Sequence, residues 1–71
     1  MSIGANIKTK RTEAGMTQKE LAEKVNVDQS MICQIERGTK SPSLALSVEI
    51  AEALHCDIRD FTDGAVGQNA G

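Results

Sequence analysis

The chain reads as an all-α domain of five short helices, and three observations predict it. Apolar residues recur at helical spacing through most of the sequence. Capping residues and glycines divide that pattern into short pieces. No segment alternates as a strand would. The central pair of pieces, TQKELAEKV and DQSMICQIERG, is separated by a turn too short for anything but a sharp bend.

The first helix is expected over residues 3–14, stopped by Gly15, with Ile3, Ile7, Arg11 and Ala14 on one face. Arg11 therefore stands in line with apolar residues. Thr17 and Glu20 form a capping box that opens the second helix, and each satisfies a backbone donor left over by the other's turn. Leu21, Ala22 and Val25 face inward, and Asn26 with Val27 makes the turn. Asp28 caps a third helix over 29–37, stopped by Gly38.

At 100° per residue, Gln29, Ser30, Cys33, Gln34 and Arg37 fall within about 140° of arc. Met31, Ile32, Ile35 and Glu36 take the rest. The inner faces of the first and third helices thus hold one lone charge each. Arg11 and Glu36 are predicted to pair, because unpaired charges are rarely buried.

Ser43 caps a fourth helix over 44–54, with Leu44, Val48, Ala51 and Leu54 expected inward. Asp57 caps a last turn over 58–62 that sends Ile58 and Phe61 back to the core. Residues 1–62 are read as one domain, and the small, Gly-rich residues 63–71 as a disordered tail.

Composition excludes several classes. Seventy-one residues leave no room for a second domain. A chain this short buries only about 60% of its unfolded surface, with stability of roughly 5 kcal/mol or less. Phe61 is the sole aromatic, so base stacking on aromatic platforms is not available. Without an apolar leader or spanning segment, a soluble cytoplasmic protein is expected.

Two cysteines, Cys33 and Cys56, are too few and too distant for a zinc motif. Cys33 is expected as a small contact residue rather than a redox switch, and Cys56 as a core thiol. His55 beside it ends a helix, since no further ligand or orienting acid lies at useful spacing. No cofactor, metal or enzymatic activity is expected.

The net charge of −2 is unevenly spread. Residues 1–40 carry seven basic against five acidic side chains, a balance of +2. Residues 41–71 carry Arg59 against five acids, a balance of −4. A polyanion responds to the local field, so the first part can still meet DNA.

A helix with one apolar face and a free face of small neutral hydrogen-bonding groups is built to enter a polar groove, and duplex DNA is the best candidate. The segments TQKELAEKV, DQSMICQIERG, SPSL and IAEAL, at this spacing, resemble the Cro and phage-repressor (XRE) family of helix-turn-helix domains. The resemblance covers about residues 3–61. It implies a compact lambda-repressor-like domain that binds duplex DNA, usually as a homodimer on a palindromic operator.

Carried over to this chain, the resemblance places Gln29, Ser30, Cys33 and Gln34 against base edges. It places Thr17, Gln18, Lys19, Arg37, Thr39 and Lys40 against phosphates, and ties Arg11 to Glu36. It further implies dimerisation through the fourth and fifth helices.

The chain departs from the family pattern at four places. Asn26 and His55 stand where glycines are usual. Asp28 replaces a serine or threonine cap. Leu46 and Ser47 are exchanged, which would put a leucine outside. The function implied is a transcriptional regulator, most simply a repressor acting by occupancy. The alternative is an antitoxin or antirepressor whose main partner is another protein, such as a toxin.

Overall fold

A computed structural model describes residues 2–61 of the chain. The tail assigned to residues 63–71 lies outside them, as does Thr62. Four helices are present among the described residues: α1 (Ile3–Glu13), α2 (Gln18–Lys24), α3 (Gln29–Arg37) and α4 (Leu44–Ala53). Residues 59–61 are helical again, which gives the start of the fifth. No strand occurs among the described residues.

Three of the four helices, α1, α2 and α4, begin at a side-chain cap. The Ser2 hydroxyl accepts from the Ala5 amide at 3.1 Å, and the Ser43 hydroxyl from the Leu46 amide at 3.1 Å. The box at the start of α2 is closed. The Glu20 amide donates to Thr17 Oγ1 at 3.0 Å, and the Thr17 amide to Glu20 Oε1 at 2.8 Å. The Thr17 amide, and then its side chain, hold the Glu20 carboxyl below its ordinary value. A similar exchange opens the last turn, where Asp57 Oδ1 accepts from the Arg59 amide and Asp60 Oδ2 from the Asp57 amide.

The left-handed positions fall where helices end. Gly15 and Gly38 have φ of 71° and 87°, and Asn26 and His55 adopt 59° and 56° in the places of the usual glycines. Asparagine tolerates this conformation well because its side chain can hydrogen-bond locally. Histidine is also found in this conformation more often than most residues with a side chain.

The core comprises Ile7, Leu21, Ala22, Val25, Ile32, Ile35, Ile50, Ala51, Leu54 and Phe61. Fully burying one of its Ile, Leu or Phe side chains contributes about 1.5–3 kcal/mol. Ile3, Met31 and Ile58 pack against it from partly buried positions. α3 is the central element, packed against both α1 and α2, while α4 closes on α2.

Two expectations about inner faces are corrected. Ala14 is exposed, because α1 stops at Glu13 and the chain turns away there. In α4 the buried arc is Ser47, Ile50, Ala51 and, just past the helix end, Leu54, with Leu46 half-buried. Leu44 and Val48 face outward at 74% and 39% exposure. The segment LALSVEIAEA is apolar on several sides, so spacing alone selects no face. Ser47 is tolerated inside because its hydroxyl donates to the Ser43 carbonyl at 2.9 Å. The exchange of Leu46 and Ser47 therefore leaves Leu46 against the core rather than outside it.

Candidate nucleic-acid interface

α3 is divided by burial as its sequence is divided by polarity. Ile32 and Ile35 are 0% and 1% exposed, whereas Gln29, Ser30, Gln34 and Arg37 are exposed and Cys33 is half-buried. The helix is held rigidly from behind and offers amide and hydroxyl groups in front. An α-helix with side chains is about 10–12 Å across, and the major groove of B-DNA is about 12 Å wide. The front of α3 can therefore reach base edges, where a glutamine amide donates and accepts at once.

Behind this face lies the ion pair. Arg11 Nε donates to Glu36 Oε2 at 2.7 Å and Nη2 to Oε1 at 3.1 Å, while Nη1 donates to the Met16 carbonyl at 2.6 Å. The two side chains are 10% and 3% exposed. The guanidinium thereby joins α1 to the last turn of α3 and to the residue that precedes the α2 cap. No buried side-chain nitrogen or oxygen among the described residues lacks a partner.

Gln18 belongs to the same network, which the sequence did not suggest. Its Nε2 donates to Glu36 Oε1 at 3.0 Å. That bond sets the first turn of α2 beside the last turn of α3. Of the residues expected at phosphates, Thr17, Gln18 and Lys19 stand at the start of α2, and Arg37, Thr39 and Lys40 at the end of α3 and in the loop after it. Of these, all but the half-buried Gln18 are exposed. The Thr39 hydroxyl donates to the Gln34 carbonyl at 3.1 Å and its amide to the same oxygen at 3.0 Å. These bonds hold the following loop against the end of α3. Thr17 spends its amide on Glu20 and receives the Glu20 amide at its hydroxyl oxygen, so only the hydroxyl proton remains for a further acceptor.

Asp28 occupies the cap position of α3 but makes no side-chain capping bond. Its exposed carboxylate is left beside Gln29 and Ser30. Three further contacts escaped sequence reasoning. Gly4 is buried where α1 crosses α3, and a methyl group there would land on the Ile35 carbonyl oxygen. The Asn6 side chain donates to the Phe61 carbonyl at 2.6 Å and ties α1 to the last turn. The third is the Gln18 bond. Only Gly4 left a trace in the sequence, since glycine inside a helix is unfavourable by about 1 kcal/mol and needs a reason.

No residue of this face lines the open groove formed by Lys24, Val25, Glu49, Glu52, Ala53 and His55. Burial, with Asp60 adding to it, pushes the Cys56 thiol up and away from thiolate reactivity. Among the described residues there is no group of three His, Cys, Asp or Glu placed to hold a metal ion, and no helix long and apolar enough to cross a membrane.

The helix-turn-helix family model matches residues 7–61. An uncharacterised HTH-type transcriptional regulator of Methanothermobacter thermautotrophicus is 50% identical over 48 residues, which are 68% of this chain and 70% of that protein. The immunity repressor protein of Bacillus phage phi105 is 43% identical over 54 residues, covering 76% of this chain and 38% of the repressor. Among solved structures, the clp gene regulator ClgR from Corynebacterium glutamicum superposes with a TM-score of 0.85 at 32% identity, over 96% of this chain and 72% of that one. The restriction-modification controller protein C.AhdI from Aeromonas hydrophila gives 0.80 at 30% identity, over 83% and 89%. On these matches, and on a fold built around α2, the turn at Asn26 and α3, the chain belongs to the XRE-type helix-turn-helix family, a family of regulators and repressors rather than of enzymes.

Proposed function

We propose that the chain is a sequence-specific, duplex-DNA-binding transcriptional regulator that represses by occupying its operator. The observation that carries this reading is the split of α3, with Ile32 and Ile35 locked in the core and Gln29, Ser30 and Gln34 exposed on the other side. In this reading Gln29 and Gln34 pair with bases in a bidentate way. Each good pair contributes about 1–3 kcal/mol of discrimination. Ser30 and Cys33 make shorter contacts between them. Asp28 adds an acceptor suited to a cytosine amino group and repelled by phosphate. Thr17, Gln18, Lys19, Arg37, Thr39 and Lys40 contact phosphates and set the register without reading sequence. A protein of this kind works where the DNA is, in the cytoplasm.

Binding assays across a salt series test these roles. Gln29→Ala and Gln34→Ala are expected to lower the preference for the cognate duplex over a scrambled one by about five- to 150-fold each, the range of one lost base pairing. General DNA binding should change less. Lys40→Ala should weaken all sequences alike and reduce the salt slope by about one. An unchanged preference in both glutamine variants would remove Gln29 and Gln34 from base reading.

The dimer is proposed to form through α4 and the turn after it, with recognition helices roughly 34 Å apart. The outward Leu44 and Val48 support this, because apolar residues exposed together mark contact surfaces. Leu44→Glu with Val48→Glu is expected to shift the protein from dimer to monomer in sedimentation and to weaken binding to a palindrome. A wild-type monomer that co-purifies with a second protein on this face would favour the antitoxin or antirepressor reading.

A further inference from the structure

Glu36 sits at the junction of three elements. Oε2 receives Arg11 Nε from α1, and Oε1 receives both Arg11 Nη2 and Gln18 Nε2. Its side chain is 3% exposed, whereas Gln18 is half-buried and reaches the surface. An ionised carboxylate can only accept hydrogen bonds. The nitrogen of the Gln18 amide, and not its oxygen, must therefore face Glu36. One N–H is used inward and the second is left to point elsewhere. A surface glutamine without such an anchor flips and samples many rotamers. A phosphate is likewise an acceptor only, and it needs the nitrogen side. We propose that Glu36 is a positioning residue for DNA binding: it holds the Gln18 amide so that its second N–H is presented to a backbone phosphate before DNA arrives.

Arg11 makes this workable by neutralising a carboxylate that would otherwise repel the same phosphate. The buried pair thus couples the packing of α1 to the contact surface of α2 and α3. Fixing a side chain in its bound orientation lowers the ordering cost at association, which raises affinity without adding a contact. The inference rests on the proposed DNA-binding function and on the phosphate role given to Gln18.

The test separates fold from positioning by removing both buried charges together. Arg11→Met with Glu36→Leu replaces the pair by apolar groups of similar size, an exchange that usually preserves stability. Thermal melting should stay near that of the wild type. Affinity for the duplex selected by the wild type should fall by about five- to tenfold, the effect of one hydrogen bond. Gln18→Ala should cause a loss of the same size. The triple variant should be no weaker than either, because all remove the same contact. Wild-type affinity in the Arg11→Met/Glu36→Leu protein, or losses that multiply in the triple variant, would overturn the inference while leaving the DNA-binding reading intact. A wild-type protein that selects no duplex would overturn both.

The wild type alone provides a second measurement that no failure to fold can confound. In NMR spectra the Gln18 Nε2 proton that faces Glu36 should lie away from its random-coil position and exchange slowly with solvent, and the other should shift when DNA is added. Random-coil shifts and fast exchange for both protons, unchanged by DNA, would contradict the anchoring.

Discussion

Glu36→Leu alone is expected to remove about 3–5 kcal/mol of stability, the cost of leaving a buried charge without its partner. The Arg11 side chain is 10% exposed, and two of its three nitrogens donate to Glu36. With leucine in that place, Nη1 keeps the Met16 carbonyl, but the charge has no counterion. A domain of this size has roughly 5 kcal/mol to lose. The variant should therefore be largely unfolded near room temperature, and urea melts followed by circular dichroism would read this as a collapse of the midpoint. Adding Arg11→Met should restore most of the loss. A single variant that melts like the wild type would mean that the pair is solvated in solution and does not clamp α1 to α3.

Gly4→Ala is expected to destabilise by about 1–3 kcal/mol, the range for overpacking a tight contact. Helix propensity alone predicts the opposite sign, since alanine is favoured over glycine by about 1 kcal/mol. The crossing of α1 over α3 decides the outcome. The added methyl meets the Ile35 carbonyl oxygen and lies 3.1 Å from Glu36 Cα. These are backbone atoms that no rotamer change can move. The Ile35 carbonyl also accepts from the Gly38 amide at 3.1 Å, so pushing on it disturbs the end of α3. A loss of DNA affinity should accompany the loss of stability. An alanine variant that is more stable than the wild type would show that the two helices are farther apart than described.

These two sites differ in how much of them could be read from the sequence. The faces of α3 were legible because polarity and period agree over nine residues framed by Asp28 and Gly38. The pairing of Arg11 with Glu36 was suggested by two lone charges on otherwise apolar faces, and the two side chains meet at 2.7 Å. Gly4 was not legible as a contact, since periodicity records which side a residue faces and not how closely another backbone approaches it. The inner face of α4 was half legible: Ala51 and Leu54 are buried as expected, whereas Leu44 and Val48 face outward. Its apolar residues surround the helix, and Ser47 passes for a surface residue until its hydroxyl is seen to donate within its own turn. Gln18 was expected only at a phosphate, with no partner inside the protein. Its bond to Glu36 spans eighteen positions and depends on the angle between α2 and α3. Asp28 shows the converse case, a position read as a cap whose side chain makes no capping bond.

The central claim is that the exposed side of α3 reads bases. Selection of bound duplexes from a random library near physiological salt tests it most directly, with the wild type and the Gln29→Ala and Gln34→Ala variants run in parallel. The account predicts a palindrome whose half-sites lie about one helical turn apart, with preference lost at different positions in the two variants. Recovery of no preferred sequence by the wild type would contradict it.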